Sequence, residues 1–247
     1  MLVGTAFDYL LRFYLKRLNP NAIDKTWVAE DAVRQIPGTF GWASPYSIFG
    51  RSWYQNIHGK SLVALHQAKK LYAEYLKLGQ ITKEILRSSI LLAQLDKIFR
   101  EGRLDKNFGD VDENDIVDLE NLIHLVSPNK FSVKNICLLN PTFGKASELV
   151  GGADADLFID GLLIDIKTTK YLKFDRPMFN QLVGYYLLHK IGGIGDLPGN
   201  YEINKLGIYY SRHGELFTFD IKDLVLENDI VQFLNWFKIE AKKCFGG

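Results

Sequence analysis

A mixed α/β (α+β) fold, helical in its first half and sheet-based in its second, is predicted by three features of the 247-residue sequence. Apolar residues recur at helical spacing over 62–78 and 82–100. Asp160-Gly161 separates two short apolar runs, which is a strong signal for a two-residue hairpin. A helix-patterned segment at 177–190 then lies between stretches that read as strands. With 47% hydrophobic residues and 13% aromatics, the chain can bury one large core, or a core plus a helical subdomain.

Taken in order, the first 18 residues carry Leu2, Val3, Phe7, Leu10, Leu11, Phe13, Leu15 and Leu18, interrupted by Asp8, Arg12, Lys16 and Arg17. That is an amphipathic helix, neither a signal peptide nor a membrane span. Pro37 to Pro45 is irregular and aromatic; Trp42, Tyr46, Trp53 and Tyr54 have the ring chemistry to stack on bases, but packing against the helices is the expectation. Two helices follow, the second with Ile85, Ile90, Leu91, Leu95 and Phe99 on its stripe, and residues 100–110 form a charged connector. Ile116, Leu119, Ile123 and Val126 make a further stripe with Glu120 on its edge. Strands are expected at 134–139, on both arms of the Asp160-Gly161 hairpin, at 206–211 and at 216–219, with His213-Gly214 turning the last pair. Asp175-Arg176-Pro177 starts the helix at 177–190 and Gly192-Gly193 ends it. One domain over 1–247 is expected, with a motif-bearing first helix in 1–20, a helical insertion or subdomain at 21–128 and a sheet core at 129–247. No internal repeat or low-complexity tract interrupts it.

The hairpin carries the chemistry. Counting from a type I′ turn sets Ile159 opposite Leu162, Phe158 opposite Leu163, Leu157 opposite Ile164, Asp156 opposite Asp165 and Asp154 opposite Lys167. Asp154, Asp156, Asp165 and Lys167 then share one side of the ribbon, while Leu157, Ile164 and Ile166 enter a core from the other. Directly opposed carboxylates destabilise a hairpin unless a cation compensates them, so the arrangement predicts a hard divalent ion, Mg²⁺ or Mn²⁺. On the following helix, Gln181 and Tyr185 stand four residues apart on one face.

Asp156 followed by Asp165-Ile166-Lys167 resembles the PD-(D/E)xK nucleases, in which an aspartate on one strand and a D/E-x-K tripeptide on the next bind catalytic metal; Ala155 stands where the family has proline. Gln181-Leu182-Val183-Gly184-Tyr185 is similar to the Gln-x-x-x-Tyr pattern of the RecB-like exonuclease branch, which includes the CRISPR-associated adaptation exonucleases. Gly4-Thr5-Ala6-Phe7-Asp8 has the shape of that branch's N-terminal motif, with Asp8 in place of a histidine ligand, an exchange of nitrogen for oxygen that alters metal preference. The superfamily's helical glutamate before the first core strand has two counterparts here, Glu120 and its rival Glu148. The resemblance covers residues 130–220, with a weaker match in the first 20, and residues 20–130 carry no named motif.

The resemblance implies a restriction-endonuclease-like αβββαβ core with a mixed central sheet, and metal-dependent phosphodiester hydrolysis, foremost by a DNA exonuclease. Asp156, Asp165 and the Ile166 carbonyl would hold Mg²⁺ or Mn²⁺, with Asp8, Asp154 and Glu120 as further ligand positions. Lys167 would orient water or stabilise developing charge, and Gln181 and Tyr185 would position the strand. The alternatives are a module of the same fold that binds nucleic acid or protein without cutting, and a structural helical protein whose hairpin acids face solvent. A net charge of +1 gives no global basic signature, so nucleic-acid contact would be local, along Lys170, Lys173 and Arg176, with Arg212 and His213 nearby. Two distant cysteines, Cys137 and Cys244, exclude the four-cysteine iron–sulfur cluster of several RecB-like relatives within one chain and fit a reducing cytoplasm. No membrane partner is expected; protein partners or a homo-oligomer stay open.

Overall fold

In a computed structural model of the chain, residues 2–36, 48–101, 107–195, 201–224 and 230–245 are described. The chain divides into two compact units. One is helical, Met1–Leu18 with Thr26–His124, and the other is sheet-based, Asn19–Lys25 with Leu125–Gly247.

The helical unit holds α1 (Leu2–Leu18), α2 (Val28–Gln35), α3 (Ile48–Leu78), α4 (Lys83–Glu101) and α5 (Glu113–His124). Tyr9 and Phe13 of α1 are buried in a core with Trp27, Ile85, Leu92 and Leu95. Phe13 lies 4.4 Å from the ring of Tyr72 and 5.2 Å from that of Trp27. Arg12 is buried too, with its guanidinium 4.5 Å over the Tyr9 ring. Trp42 and Tyr46, and the side chains of Trp53 and Tyr54, lie outside the described residues.

The second unit is a mixed six-stranded sheet whose strands follow chain order: β1 (Ile23–Asp24), β2 (Cys137–Leu139), β3 (Leu157–Ile159), β4 (Leu162–Lys167), β5 (Lys205–Tyr210) and β6 (Glu215–Asp220). The β1–β2 and β4–β5 pairs are parallel and the others antiparallel. Parallel neighbours need a crossover, which α6 (Arg176–Gly192) supplies between β4 and β5. α7 (Ile221–Leu224) and α8 (Ile230–Phe245) complete the unit. Phe158, Leu163, Leu206, Ile208 and Tyr210 share one core with Leu182 and Tyr186 of α6. Alternation turns Tyr209 to the opposite face, where it meets the Phe131 ring at 5.0 Å. Among the described residues, no helix is long and apolar enough to cross a membrane.

The hairpin register is the one counted from the turn: Leu157 pairs with Ile164, Phe158 with Leu163 and Ile159 with Leu162. Asp160 at φ 48° and Gly161 at φ 92° take the left-handed conformations that a type I′ turn requires. Asp160 has a second task. Its carboxylate accepts from the backbone N–H groups of Lys134, Asn135 and Ile136 at 2.6, 2.8 and 2.9 Å. Those donors are therefore unavailable to a ladder, and the strand expected at 134–139 is confined to Cys137–Leu139.

The register also stops sooner than predicted. The last β3–β4 pair is Leu157–Ile164, and beyond it the chain stays with residues 140–142. The Asp156 carbonyl accepts from Asn140 N at 2.9 Å, Ala155 N donates to Pro141 O at 2.9 Å, and Asp154 bridges Thr142. Asp154 is thus paired across from Thr142 rather than Lys167, and Asp156 leaves the ladder instead of standing opposite Asp165 within it.

Burial would raise the Asp160 pKa, but the three backbone donors outweigh it and hold the carboxyl below its ordinary range. A depressed pKa contributes stability that is complete above the ordinary carboxylate range and is lost as pH falls through the folded value. Asp160→Asn keeps a residue that tolerates positive φ and removes the charge. It should cost about 1 kcal/mol in urea unfolding at neutral pH and progressively less in acid. A cost that is the same at both pH values would assign the effect to turn geometry alone.

Candidate functional site

The alternate residues Leu163, Asp165 and Lys167 of β4 face the side of the sheet on which α6 packs. Asp165 is only 3% exposed. Lys167 Nζ stands 2.6 Å from Asp165 Oδ2, an ion pair, yet that oxygen is sealed from solvent and has no partner in hydrogen-bond geometry. Burial pushes the Asp165 pKa up and the lysine charge pulls it back; the net direction is upward.

A chain of polar contacts leads from this pair onto the helix. Lys167 Nζ donates to Gln181 Oε1 at 2.8 Å, and Gln181 Nε2 donates to the Tyr185 hydroxyl at 2.8 Å. A lysine has only donors, so the amide oxygen must face it and the amide nitrogen must face the phenol. The phenol accepts, and its own proton is left to donate. The helix that holds Gln181 and Tyr185 one turn apart starts where the sequence indicates: Asp175 Oδ1 accepts from Met178 N at 3.1 Å, with Pro177 in the first turn.

Tyr185 is fixed by its ring as well. It stacks on Phe143, with centroids 5.4 Å apart and planes at 26°. Phe143 N donates to Ser147 Oγ at 2.9 Å, and Ser147 Oγ donates to Ala153 O at 2.7 Å. Gly192 permits the approach, since a Cβ there would come 2.3 Å from the Phe143 carbonyl. The Tyr185 pKa is raised, first by burial and then by the negative charges of Asp156, Asp165 and Asp154, with the Gln181 hydrogen bond opposing. Asp154, Asp156 and Asp165 thus lie within electrostatic reach of one phenol.

Asp156 fills the gap that the departing strand leaves. Its Oδ2 accepts from the backbone N–H of Ile166 at 2.6 Å, so a side chain replaces the missing ladder partner. Asp154 is half-buried beside it in sequence, at the bridge to Thr142. Glu148 is exposed on the short turn of helix Gly144–Val150. Asp8 and Glu120 belong to the helical unit, where Asp8 Oδ2 accepts from Arg12 Nη2 at 2.7 Å and Glu120 is exposed on α5. Lys170, Lys173 and Arg176 are exposed along the segment from β4 into α6.

No family model, curated protein or solved structure matches the chain.

Among the described residues, no group of three or more His, Cys, Asp or Glu could hold a metal ion. The oxygen donors at this place are the carboxylates of Asp156 and Asp165, with the Ile166 carbonyl between Asp165 and Lys167 in the chain. Mg²⁺ is commonly held through one or two carboxylates, with water and substrate phosphate supplying the rest, so the donor set fits such an ion. The observation that favours it is the convergence of two carboxylates, Asp165, 3% exposed and beside one ammonium, and Asp156, held by the backbone N–H of the next residue, Ile166. Sequence reasoning missed Phe143 and the second task of Asp160, whose partners are remote in the chain.

A carboxyl whose pKa rises on folding costs stability as pH climbs from its ordinary range toward the folded value. In metal-free buffer at neutral pH, Asp165→Asn should therefore melt at or above the wild-type temperature, and the difference should vanish in acid. Added Mn²⁺ should raise the melting temperature of the wild type but not of the variant. An equal rise in both would put the ion elsewhere.

Proposed function

We propose that this protein is a metal-dependent nuclease that hydrolyses phosphodiester bonds, foremost a DNA exonuclease, on a restriction-endonuclease-like core. The observation that carries the reading is the unbroken contact chain Asp165–Lys167–Gln181–Tyr185, in which every residue of the D-x-K and Gln-x-x-x-Tyr patterns except the central ones takes part. The succession of three strands, helix and strand formed by β2, β3, β4, α6 and β5 supports the core assignment.

Asp156, Asp165 and the Ile166 carbonyl would hold Mg²⁺ or Mn²⁺. Bound there, such an ion supplies Lewis-acid polarisation of a phosphoryl oxygen and a lowered pKa for water. The residues do the rest. Lys167 Nζ, fixed by Asp165 on one side and Gln181 on the other, has donor capacity left for a non-bridging phosphate oxygen, where charge grows as water adds to phosphorus. Gln181 holds both the lysine and the phenol, so neither must be ordered during the reaction. The Tyr185 hydroxyl stays protonated throughout the ordinary pH range because its pKa is raised, and it can donate to the phosphate. Water adds to phosphorus and gives up a proton to solvent, the ester P–O bond breaks, and the leaving oxygen takes a proton from solvent. Two cysteines, the buried Cys137 and the exposed Cys244, suit a reducing cytoplasm.

The test uses end-labelled linear and closed circular DNA, each single- and double-stranded, with Mn²⁺, Mg²⁺ or EDTA. Wild type should degrade linear DNA only with the divalent ion. Asp165→Asn and Lys167→Ala should each lose about a hundredfold or more in rate, and Gln181→Ala about tenfold. Sparing of circles marks an exonuclease. Full activity in Lys167→Ala would sink the assignment, and nucleic-acid binding without cleavage would favour a binding module of the same fold.

A further inference from the structure

The sheet face that carries Asp165 and Lys167 continues onto β5 and β6. In register, Asp165 aligns with Ile208 and Lys167 with Tyr210, while Ile208 aligns with Phe217 and Leu206 with Phe219. Aligned residues share a face, so these side chains all stand on the acidic side of the sheet. Ile208, Tyr210, Phe217 and Phe219 line a cavity of about 300 Å³ together with Leu172 and Phe174. β6 is two strands from β4, which sets the far wall about 10 Å from the acidic strand.

The cavity has flat apolar walls and is open. Phe174 stacks on Phe219 with centroids 4.9 Å apart and planes at 24°, and Phe217 stands edge-on to Tyr210 at 5.8 Å and 81°. Leu172, Phe174 and Phe217 are 50%, 41% and 45% exposed, and they adjoin in one lining instead of standing singly. Tyr210 brings the one polar group of the lining, and its hydroxyl donates to the Lys173 carbonyl at 2.8 Å. The walls therefore offer stacking and no hydrogen-bond code.

Charge around the opening selects the occupant. Lys170, Lys173 and Arg176 are exposed on the same segment as Leu172 and Phe174. Of the acids nearby, Asp175 caps α6, and Glu215 pairs with Lys130 at 2.7 Å. Burial, then Asp175 and Asp165, raise the Tyr210 pKa, so the cavity wall lies within the field of the acidic site. A flat ring tethered to a polyanion, with its faces free, is the base of an unpaired nucleotide.

We propose that the Phe174–Phe217 cavity is a base-stacking subsite that takes one unpaired nucleotide next to the phosphodiester at Asp165 and Lys167, and so requires a single-stranded substrate there. The position of that phosphodiester rests on the nuclease reading; the stacking itself does not. Because the walls carry no hydrogen-bond code, the subsite accepts any base.

The experiment is equilibrium binding by the full chain in EDTA, read by fluorescence anisotropy. The probes are fluorescein-labelled oligo(dT), the same oligonucleotide with abasic sites, and its duplex. Wild type is compared with Phe174→Ala/Phe217→Ala, whose exposed rings can be removed without opening a core, as matched melting temperatures would verify. The double variant should bind oligo(dT) about tenfold or more weakly, while the abasic strand and the duplex bind both proteins alike. Unchanged affinity for oligo(dT), or an equal loss on the abasic strand, would overturn the subsite. If the stacking pattern appears but wild type cleaves nothing with Mn²⁺, the subsite stands and the nuclease reading falls. Cleavage without the stacking pattern keeps the nuclease and removes the subsite, and no binding to any probe likewise removes the subsite.

Discussion

The Asp160 carboxylate takes three successive backbone N–H groups at 134–136, while the Asp160 backbone makes the first positive-φ step of a two-residue turn. These interactions tie the hairpin tip to the strand beside it and leave one register. A slip of one residue would move Leu163, Asp165 and Lys167 to the other face of the sheet, away from Gln181 and Tyr185. The acidic site therefore depends on a turn at the far end of the strand from it, through period-two alternation alone.

A hairpin that continued its ladder through Asp156 would set two carboxylates face to face. The chain instead parts from β4 after Leu157 and follows residues 140–142, and Asp156 returns only its carboxylate, to Ile166 N. The repulsion is relieved by geometry, and two acids remain near one point. Asp165 is the costly member. A buried ion pair such as Asp165–Lys167 is poor evidence for stability, because desolvation offsets the attraction, and an apolar pair of similar volume would serve the fold as well. Its place in a chain of contacts that ends on a phenol with a free proton is better explained by chemistry than by folding.

What is legible in the sequence is local. Asp160-Gly161 fixes the register, Asp175 and Pro177 start α6, and four-residue spacing joins Gln181 to Tyr185, because each signal lies within a turn or two of its effect. What is not legible depends on partners far along the chain. The two residues of β1 are too few to show a period, and their partner β2 lies over a hundred positions away. Lys134 to Ile136 read as strand because nothing nearby reveals that Asp160 will take their donors. Extending the hairpin ladder sets Asp154 against Lys167, but residues 140–142 decide where that ladder ends. Phe143 has no motif at all; only the close approach at Gly192 shows why its ring meets Tyr185.

The open aromatics of β6 obey the same alternation. It turns Phe217 and Phe219 to the face that α6 covers over β4 and β5, where the rule for a half-buried sheet is apolar inside. α6 accounts for Leu163, Ile208 and part of Tyr210, yet Phe217 and Phe174 remain nearly half exposed. A strand that served only as a solvated sheet edge would carry polar or charged residues on that face, since exposed aromatic edges invite association. Retaining rings there, within two strands of a buried acid and beside a basic segment, is consistent when the missing cover is a ligand with flat faces and negative charge. The sheet then supplies both halves of one recognition surface: charges for the phosphate on β4, and rings for the base on β5 and β6.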